Sequence, residues 1–206
     1  MLSIAILNMH HNNLGSLTRA LKNIGTKVKC VETVKELQKE DGIILPGVGS
    51  FNSTITSLEK SGEKERLFET ITNSKFVLGI CLGMHLLATS STEGGYSLGL
   101  NIIPGRVNRL PFFKGSKVPN MGWRCTALTE NTPIKLSLEN RFFYHVHSFY
   151  YRINESANVY GTSFHNNMEY PTIIGKGHII GMQFHPEISS KDGEILLKKI
   201  IDYFMD

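Results

Sequence analysis

Short apolar runs alternate with helical patterns in the first half of the chain. The runs predict strands at residues 4–7, 28–31, 42–45 and 76–80. Apolar positions spaced three and four apart predict helices at residues 14–24, 34–39 and 82–89, with further helical stretches through Leu58 and Leu67. Strands that alternate with helices in this way are typical of a parallel sheet covered by crossover helices.

The second half changes character, because its apolar segments are separated by turn-rich sequence. Strands are predicted at residues 106–110, 142–151, 158–164 and 172–184, and an amphipathic helix at residues 194–204 closes the chain. No internal repeat or linker divides the sequence. We therefore predict an α/β fold, a mostly parallel sheet with an antiparallel extension, in a single domain that spans residues 1–206.

Composition and length fit a globular protein and exclude one large architecture. The chain has 206 residues, of which 41% are hydrophobic and 19% charged, which is ordinary for a folded domain. A complete eight-fold β/α barrel typically needs about 250 residues. The chain therefore has no room for such a barrel beside another catalytic domain.

Charge and cysteine usage narrow the class of protein further. The 22 basic and 18 acidic residues give a net charge of +4 and are scattered along the chain, so nothing predicts a nucleic-acid partner. Three cysteines without a C-x-x-C pair argue against a disulfide framework and favour a reducing cytoplasm. The longest apolar run, residues 76–88, falls short of the ~20 residues that cross a bilayer, so we expect no membrane association.

A cysteine lies between two glycines at a predicted strand-to-helix junction. The string Gly79-Ile80-Cys81-Leu82-Gly83 has the spacing of a G-x-S-x-G nucleophile elbow, with sulfur in place of oxygen. Small neighbours let a carbonyl substrate approach, and the start of a helix stabilises a thiolate. A buried structural cysteine is the alternative, but the elbow context favours Cys81 as a nucleophile.

A histidine and a glutamate near the end of the chain supply what a thiol nucleophile needs, namely a base and a group that orients it. Pro186 favours an extended conformation at His185, and residues two apart in an extended segment share a face. Glu187 is therefore expected beside the imidazole, where it can stabilise the imidazolium. Taken alone, the string would fit a surface loop better.

The string Pro46-Gly47-Val48-Gly49 follows the third predicted strand, at the edge where open α/β sheets place their ligands. Its backbone N–H groups, with that of Leu82, could bind the oxyanion of a tetrahedral intermediate. A phosphate-binding turn competes with this interpretation, but the lysine and hydroxyl of a P-loop are missing. A simple turn is the third possibility.

A pair of strand histidines and a tryptophan are weaker evidence for function. His145 and His147 alternate along a predicted strand and could join His185 at a metal, but no H-E-x-x-H or cysteine cluster accompanies them. We therefore expect no metal and no other cofactor. Trp123, the sole tryptophan, fits the core slightly better than an interface.

Together these segments resemble the class I glutamine amidotransferases, and most narrowly the glutaminase subunits of imidazole glycerol phosphate synthases. The likeness runs nearly end to end. The strings that carry it are PGVGSF at 46–51, LGICLGM at 78–84, EGG at 93–95, IPG at 103–105, KVP at 117–119, MGW at 121–123, VHS at 146–148 and QFHPE at 183–187. The resemblance implies the three-layer class I amidotransferase fold.

The resemblance also implies a reaction. Cys81 would attack the side-chain amide of L-glutamine, and His185, oriented by Glu187, would protonate the departing ammonia and then activate water. Val48 and Leu82 would supply the oxyanion N–H groups. The residues expected around the bound glutamine are Gly47, His85, Glu93, Ser148 and Phe149.

A partner is implied as well, because ammonia is mostly protonated in neutral water and must be delivered through a dry passage. The partner of the family is a β/α-barrel cyclase, which would form a heterodimer with this chain. Asn120, Trp123 and Ile188 are expected at that interface or at an ammonia gate.

Several residues depart from the pattern of the family. His85 replaces a glutamine, Asn120 a histidine, Phe149 a tyrosine, and Ile188 a lysine. The changes at Asn120 and Ile188 favour an alternative, in which the glutaminase feeds a sugar amidotransferase that builds amidino groups on surface glycans. A regulatory subunit without activity and a stand-alone cysteine hydrolase are the remaining alternatives.

Overall fold

A mixed sheet runs through the centre of the protein in a computed structural model, which describes residues 2–9, 14–38, 40–112, 117–133 and 141–205. Within these residues the sheet has nine strands in the order β2-β1-β3-β4-β13-β12-β11-β8-β9. A smaller sheet has the order β10-β7-β5-β6. The strands are β1 Ser3–Leu7, β2 Lys27–Val31, β3 Gly42–Leu45, β4 Val77–Ile80, β5 Ser90–Ser91, β6 Ser97–Leu98, β7 Gly105–Arg109, β8 Asn120–Leu128, β9 Arg141–His147, β10 Phe149–Ile153, β11 Val159–His165, β12 Met168–Lys176 and β13 Ile179–Met182.

The helices cover both faces of the large sheet. They are α1 Gly15–Asn23, α2 Phe51–Ser61, α3 Lys64–Asn73, α4 Leu82–Leu86 and α5 Ser190–Met205, with 3₁₀ turns at Val34–Glu36, Ser156–Asn158 and Pro186–Ile188. Apolar residues of α1 and α5 pack with Ile4 and Ile6 in one buried cluster. Those of α2, α3 and α4 pack with Leu7 and Val77 in another. The central strands β1, β3, β4 and β13 are therefore buried on both faces, as their continuous apolar sequences require.

The parallel part of the sheet brings three strand ends together. β4 pairs in parallel with β3 on one side and β13 on the other, with Leu45 and Met182 flanking the Gly79-Ile80 end. Carboxyl ends of parallel strands lie at the same edge of a sheet. The segments that follow β3, β4 and β13 are therefore neighbours in space.

The predicted α/β fold in one domain, a parallel sheet with an antiparallel extension, is confirmed, but several elements differ from the predictions. The run 142–151 divides at Ser148 into β9 and β10, which belong to different sheets. The run 172–184 contains the hairpin of β12 and β13, which turns at Gly177 with a φ of +57°. The break at Ser148 is hidden in the sequence because aromatic residues flank it on both sides, whereas the glycines of Gly175-Lys176-Gly177-His178 are a turn signal that the prediction passed over.

The other differences concern one helix and three strands. The helix predicted at 34–39 is a 3₁₀ turn, with Lys39 outside the described residues. β8 is missing from the prediction because its nine residues mix small, polar and charged side chains. β5 and β6 are also missing, because strands of two residues are too short to show an alternating pattern.

None of the helices in the described ranges combines the length and apolarity needed to cross a membrane.

We predict that Gly83→Ala destabilises the protein by about 1–3 kcal/mol, because steric overpacking costs energy of this order. A Cβ atom at position 83 would lie 2.0 Å from the backbone oxygen of Leu45. The measurement is urea unfolding followed by circular dichroism. Gly62→Ala is the control, because Gly62 has a φ of +69° but a Cβ atom added there would meet nothing within 4 Å, so conformational strain alone should cost about 1 kcal/mol. Equal stability of Gly83→Ala and the wild type would contradict the close approach.

Candidate active site

Glycines allow three backbone segments to meet around Cys81. A Cβ atom on Gly47 would lie 1.9 Å from the backbone oxygen of Ile80 and 2.7 Å from the Cβ of Cys81. A Cβ atom on Gly79 would lie 2.7 Å from the backbone of Gly83. Only residues without side chains permit these approaches, so the loop after β3 lies directly against the cysteine.

Cys81 has a rare backbone conformation between β4 and α4. Its φ is +49° and its ψ is −102°, a region that residues with a Cβ atom seldom adopt. The turn is held by hydrogen bonds, since the Cys81 N–H donates to the Met182 oxygen at 2.6 Å and the Cys81 oxygen accepts from the His85 N–H at 3.1 Å. Strained residues held in this way are typical of functional sites, as the elbow pattern predicts.

His185 and Glu187 are in direct contact, with 2.8 Å between His185 Nδ1 and Glu187 Oε1. The backbone differs from the extended segment predicted from the sequence. His185 itself is extended, with a φ of −104°, but Pro186–Ile188 forms a 3₁₀ turn. Proline suits the first position of a helical turn because its φ is already set. The turn, rather than strand alternation, therefore brings the carboxylate to the ring.

The imidazole of His185 is buried and holds a proton strongly. Burial by itself lowers its pKa, but hydrogen bonds to Cys81 and Glu187, together with the charges of both groups, raise the pKa to about 10. Because Nδ1 faces Glu187, Nε2 is the nitrogen available to the sulfur. The three side chains thus form a chain from carboxylate through imidazole to thiol.

A cavity of about 340 Å³ opens in front of Cys81. All but one of the residues predicted for the reaction centre and the glutamine site line this cavity, and the exception is Glu187, which lies behind His185. The predicted residues in the lining are Gly47, Val48, Cys81, Leu82, His85, Glu93, Ser148, Phe149 and His185. Four lining residues were not among those predictions, namely Gly49, Pro119, Val146 and His147. Each belongs to a motif string that carries the family resemblance, which is the signal that could have found them.

Glu93 places a carboxyl group in the wall of this cavity. Its Oε2 accepts a hydrogen bond of 3.1 Å from the backbone N–H of Phe51, at the start of α2. Burial raises the pKa of Glu93, and the hydrogen bond from Phe51 offsets part of that rise. The group can accept hydrogen bonds from a cationic part of a ligand.

Gln183 also reaches the nucleophile, although no role was predicted for it. Its side chain is fully buried, and its Nε2 lies 3.8 Å from Cys81 Sγ. Its Oε1 lies 2.9 Å from His85 Nε2. In the sequence Gln183 stands out only as part of the QFHPE string, because nothing in a single sequence reveals where a buried amide points.

The two strand histidines are hydrogen-bonded structural groups. His145 Nδ1 lies 3.2 Å from the Tyr170 hydroxyl, and His147 Nδ1 lies 2.8 Å from the Phe149 oxygen. Burial lowers the pKa of His145 to about 2 and that of His147 to about 3. In the part of the chain that the structure describes, no group of three or more His, Cys, Asp or Glu side chains could hold a metal ion.

The three residues expected at a partner interface occupy different positions. Trp123 and Ile188 are about half exposed, at 45% and 44%, whereas Asn120 is buried. The Asn120 amide contacts His147 Nε2 at 3.1 Å and accepts a hydrogen bond from Arg124 Nε at 2.9 Å. Trp123 and Ile188 can touch another protein directly, while Asn120 can act on one only through its neighbours.

A second cavity of about 230 Å³ lies beside the first. Both cavities are lined by Gly47, Val48, Val146 and His185. The second one continues to Glu187 and the exposed Ile188. The backbone at 47–48 and the ring of His185 therefore separate the cysteine cavity from a route towards the surface.

The chain is similar to known proteins over nearly its whole length. The family model described as glutamine amidotransferase class-I matches residues 5–202. The imidazole glycerol phosphate synthase subunit HisH of Listeria monocytogenes is 37% identical over 95% of this chain and 93% of its own length. The subunit of the same name from Archaeoglobus fulgidus is 39% identical, with 97% and 98% covered.

Solved structures agree in fold. A glutamine amidotransferase from Thermotoga maritima superposes with a TM-score of 0.71 at 15% identity, covering 99% of this chain and 97% of its own. The glutaminase domain of Trypanosoma brucei CTPS gives a TM-score of 0.65 at 15% identity, covering 100% and 92%.

We predict that Glu187→Gln lowers the pKa of His185 by about one pH unit or more, because the carboxylate favours the charged ring. The measurement is an NMR titration of the histidine ring signals. In the wild type the His185 signal should remain that of an imidazolium at pH 7, while His85, His145 and His147 remain neutral. Glu194→Gln is the control, since it removes a carboxylate that bonds Asn23 on the surface. An unchanged or higher midpoint in Glu187→Gln would contradict the assigned contact.

Proposed function

Since this chain belongs to the class I glutamine amidotransferase family, we propose that it is the glutaminase subunit of an imidazole glycerol phosphate synthase. It hydrolyses L-glutamine to glutamate and ammonia and passes the ammonia to a cyclase subunit. The observation that carries this proposal is the chain of contacts from Glu187 through His185 to Cys81, in which His185 and Cys81 line one cavity. The relatives named HisH support the choice of synthase.

The reaction begins with attack of the Cys81 thiolate on the side-chain amide carbon of glutamine. The carbonyl oxygen becomes an oxyanion, for which the N–H groups of Leu82 and Val48 are the proposed donors. Both residues line the cavity. The N–H of the residue after the nucleophile is the usual donor at an elbow, which supports the role of Leu82.

Collapse of the tetrahedral intermediate requires a proton on the leaving nitrogen. The His185 imidazolium supplies it from Nε2, so ammonia leaves and a glutamyl thioester remains on Cys81. The neutral imidazole then takes a proton from water, which attacks the thioester and releases glutamate. Such proton transfer by a positioned group contributes about 10²–10⁴-fold to rate, and the raised pKa of His185 ensures that the proton is present at the first step.

The cavity also supplies groups for the amino-acid end of glutamine. The Glu93 carboxylate is the proposed partner of the α-ammonium group, because it is the acidic side chain in the cavity lining. Gly47, Ser148 and Phe149 complete the proposed glutamine site, together with His85. A volume of about 340 Å³ is within the usual range for small-molecule sites.

Delivery of ammonia follows from its chemistry. Ammonia is mostly protonated in neutral water and then has no lone pair for attack, so a dry route to the acceptor preserves its reactivity. The second cavity, which begins behind His185 and reaches Ile188, supports a route on this side. We propose that a β/α-barrel cyclase docks over Trp123 and Ile188.

One observation favours a second candidate for the acceptor. Ile188 is an apolar, exposed side chain at the position where the family pattern has lysine. An apolar residue there fits a partner without a matching acid, such as a sugar amidotransferase that builds amidino groups. The glutaminase chemistry is the same in both cases.

We predict that Cys81→Ala lowers partner-stimulated glutamate release by at least about 10³-fold, because loss of a nucleophile removes covalent catalysis. The measurement is glutamate formation in the presence of a cyclase, with imidazole glycerol phosphate followed in parallel. Cys30→Ala is the matched control, because Cys30 is exposed and remote from the cavity. Glutamate release that persists in Cys81→Ala would rule out the proposed triad, whereas Cys81-dependent glutamate release without imidazole glycerol phosphate would rule out the synthase.

We predict that Ile188→Lys binds the cyclase of an ordinary imidazole glycerol phosphate synthase about two- to fivefold more tightly, the range expected for one surface ion pair. The measurement is the Kd from titration calorimetry. Ile188→Gln is the control for side-chain length without charge. An unchanged affinity, or an equal gain in Ile188→Gln, would remove the electrostatic argument for the second candidate.

A further inference from the structure

A buried amide approaches the nucleophile from a neighbouring strand of the sheet. Gln183 directly follows β13, and its backbone N–H donates to the Thr172 oxygen at 2.8 Å. β13 pairs with β4, and Cys81 follows β4 directly. This register places the Gln183 side chain next to the sulfur, where Nε2 lies 3.8 Å from Sγ.

The chemistry of the sulfur decides which end of the amide faces it. A thiolate has lone pairs and negative charge, so it attracts N–H and repels a carbonyl oxygen. With Nε2 towards Cys81, the Oε1 atom of Gln183 needs a donor on its other side. His85 Nε2 is there, at 2.9 Å.

The Nε2 atom of His85 must be the donor in this contact. Burial lowers the pKa of His85 to about 4, although the hydrogen bond to Gln183 opposes this fall, so the ring is neutral at pH 7. A neutral imidazole carries one N–H. Because Gln183 Oε1 accepts, that N–H is on Nε2, and the amide is fixed with its own N–H towards the sulfur.

Other titratable groups around the cavity have different partners. His185 bonds Cys81 and Glu187, and Glu93 bonds the Phe51 backbone. His147 Nδ1 faces the Phe149 oxygen, and its Nε2 faces the Asn120 amide nitrogen. These contacts leave the pairing of His85 with Gln183 undisturbed.

We infer that Gln183 is a further catalytic residue, which donates a hydrogen bond to the Cys81 thiolate, and that His85 is the positioning residue that orients its amide. The inference rests on the proposed function in taking Cys81 as the nucleophile. Under this inference His85, which replaces the glutamine of the family pattern, has a structural role: it orients the Gln183 amide. The thiolate then has two donors, the imidazolium of His185 and the amide of Gln183.

The test is the rate at which iodoacetamide alkylates Cys81 between pH 5 and 10, read by mass spectrometry of the peptide that contains Cys81. The full chain is used, and the method needs neither glutamine nor a partner. Gln183→Met removes the donor at similar volume, and His85→Leu removes the group that orients it. His85→Gln keeps an N–H donor at position 85, and His178→Gln is a control because His178 bonds the Ile71 oxygen away from the cavity.

We expect Gln183→Met and His85→Leu to slow alkylation at pH 7 about three- to tenfold and to move the midpoint of the rate profile to higher pH, because a lost hydrogen bond destabilises the thiolate. His85→Gln should restore most of the rate, and His178→Gln should match the wild type. If Gln183→Met does not fold, Gln183→Glu has nearly the same volume and should slow alkylation as well, since its carboxylate repels the thiolate.

Two results would overturn the inference. A wild-type profile in folded Gln183→Met or Gln183→Glu would show that the amide does not act on the sulfur. A wild-type profile in His85→Leu would show that His85 does not orient the amide. Neither result depends on glutamate release. A failure of the proposed function would therefore be seen separately: the wild-type chain would release no glutamate with any cyclase, while alkylation of its Cys81 would still depend on Gln183.

Discussion

The candidate site depends on one turn, in which the chain passes from a buried parallel strand into a short helix at Cys81. A positive φ at a residue with a side chain is unfavourable by itself, so the surrounding structure must hold it. Strand β13 accepts the Cys81 N–H, and glycines on both neighbouring segments allow the backbone to approach. Strands β3, β4 and β13 are adjacent in the sheet. Their ends lead into the loop at 46–49, the turn at Cys81 and the segment at 183–187, so these three segments are adjacent as well. The sheet order therefore determines which residues can meet.

Burial lowers the pKa of every histidine around this turn, and the partners of each ring determine where that pKa finally lies. His85, His145 and His147 are buried without a carboxylate partner, and their pKa values fall to about 4, 2 and 3. His185 is buried to a similar degree, but its contacts with Cys81 and Glu187 raise its pKa by more than burial lowers it. One ring in the group is thus charged at neutral pH while its neighbours are neutral. A proton is held beside the sulfur, and the other rings serve as hydrogen-bonding groups with a single N–H each.

Much of this arrangement could be predicted from the sequence, because the relevant signals are local. Glycines two residues on either side of Cys81 indicate a sharp turn, and a proline after His185 limits the backbone there. The alternation of strands and helices predicts parallel strands whose ends share an edge. What remained hidden depends on tertiary contacts. Gln183 is one polar residue at the end of an apolar run until the register of β13 with β4 is known, and Asn120 resembles a surface change until its buried contacts are seen. The break at Ser148 was missed because aromatic residues flank it on both sides, and the 3₁₀ turn at Pro186–Ile188 was missed because a proline after an extended histidine fits either a strand or the first position of a helical turn.

The central claim is that Cys81 forms a covalent bond with the side-chain carbon of glutamine. The most direct measurement is mass spectrometry of the complex with a cyclase, quenched in acid within milliseconds of mixing with glutamine. A mass increase of one glutamyl group on the peptide that contains Cys81, which disappears as glutamine is exhausted, is the predicted result. Glutamate release without any such adduct, or with the adduct on another residue, would contradict the account.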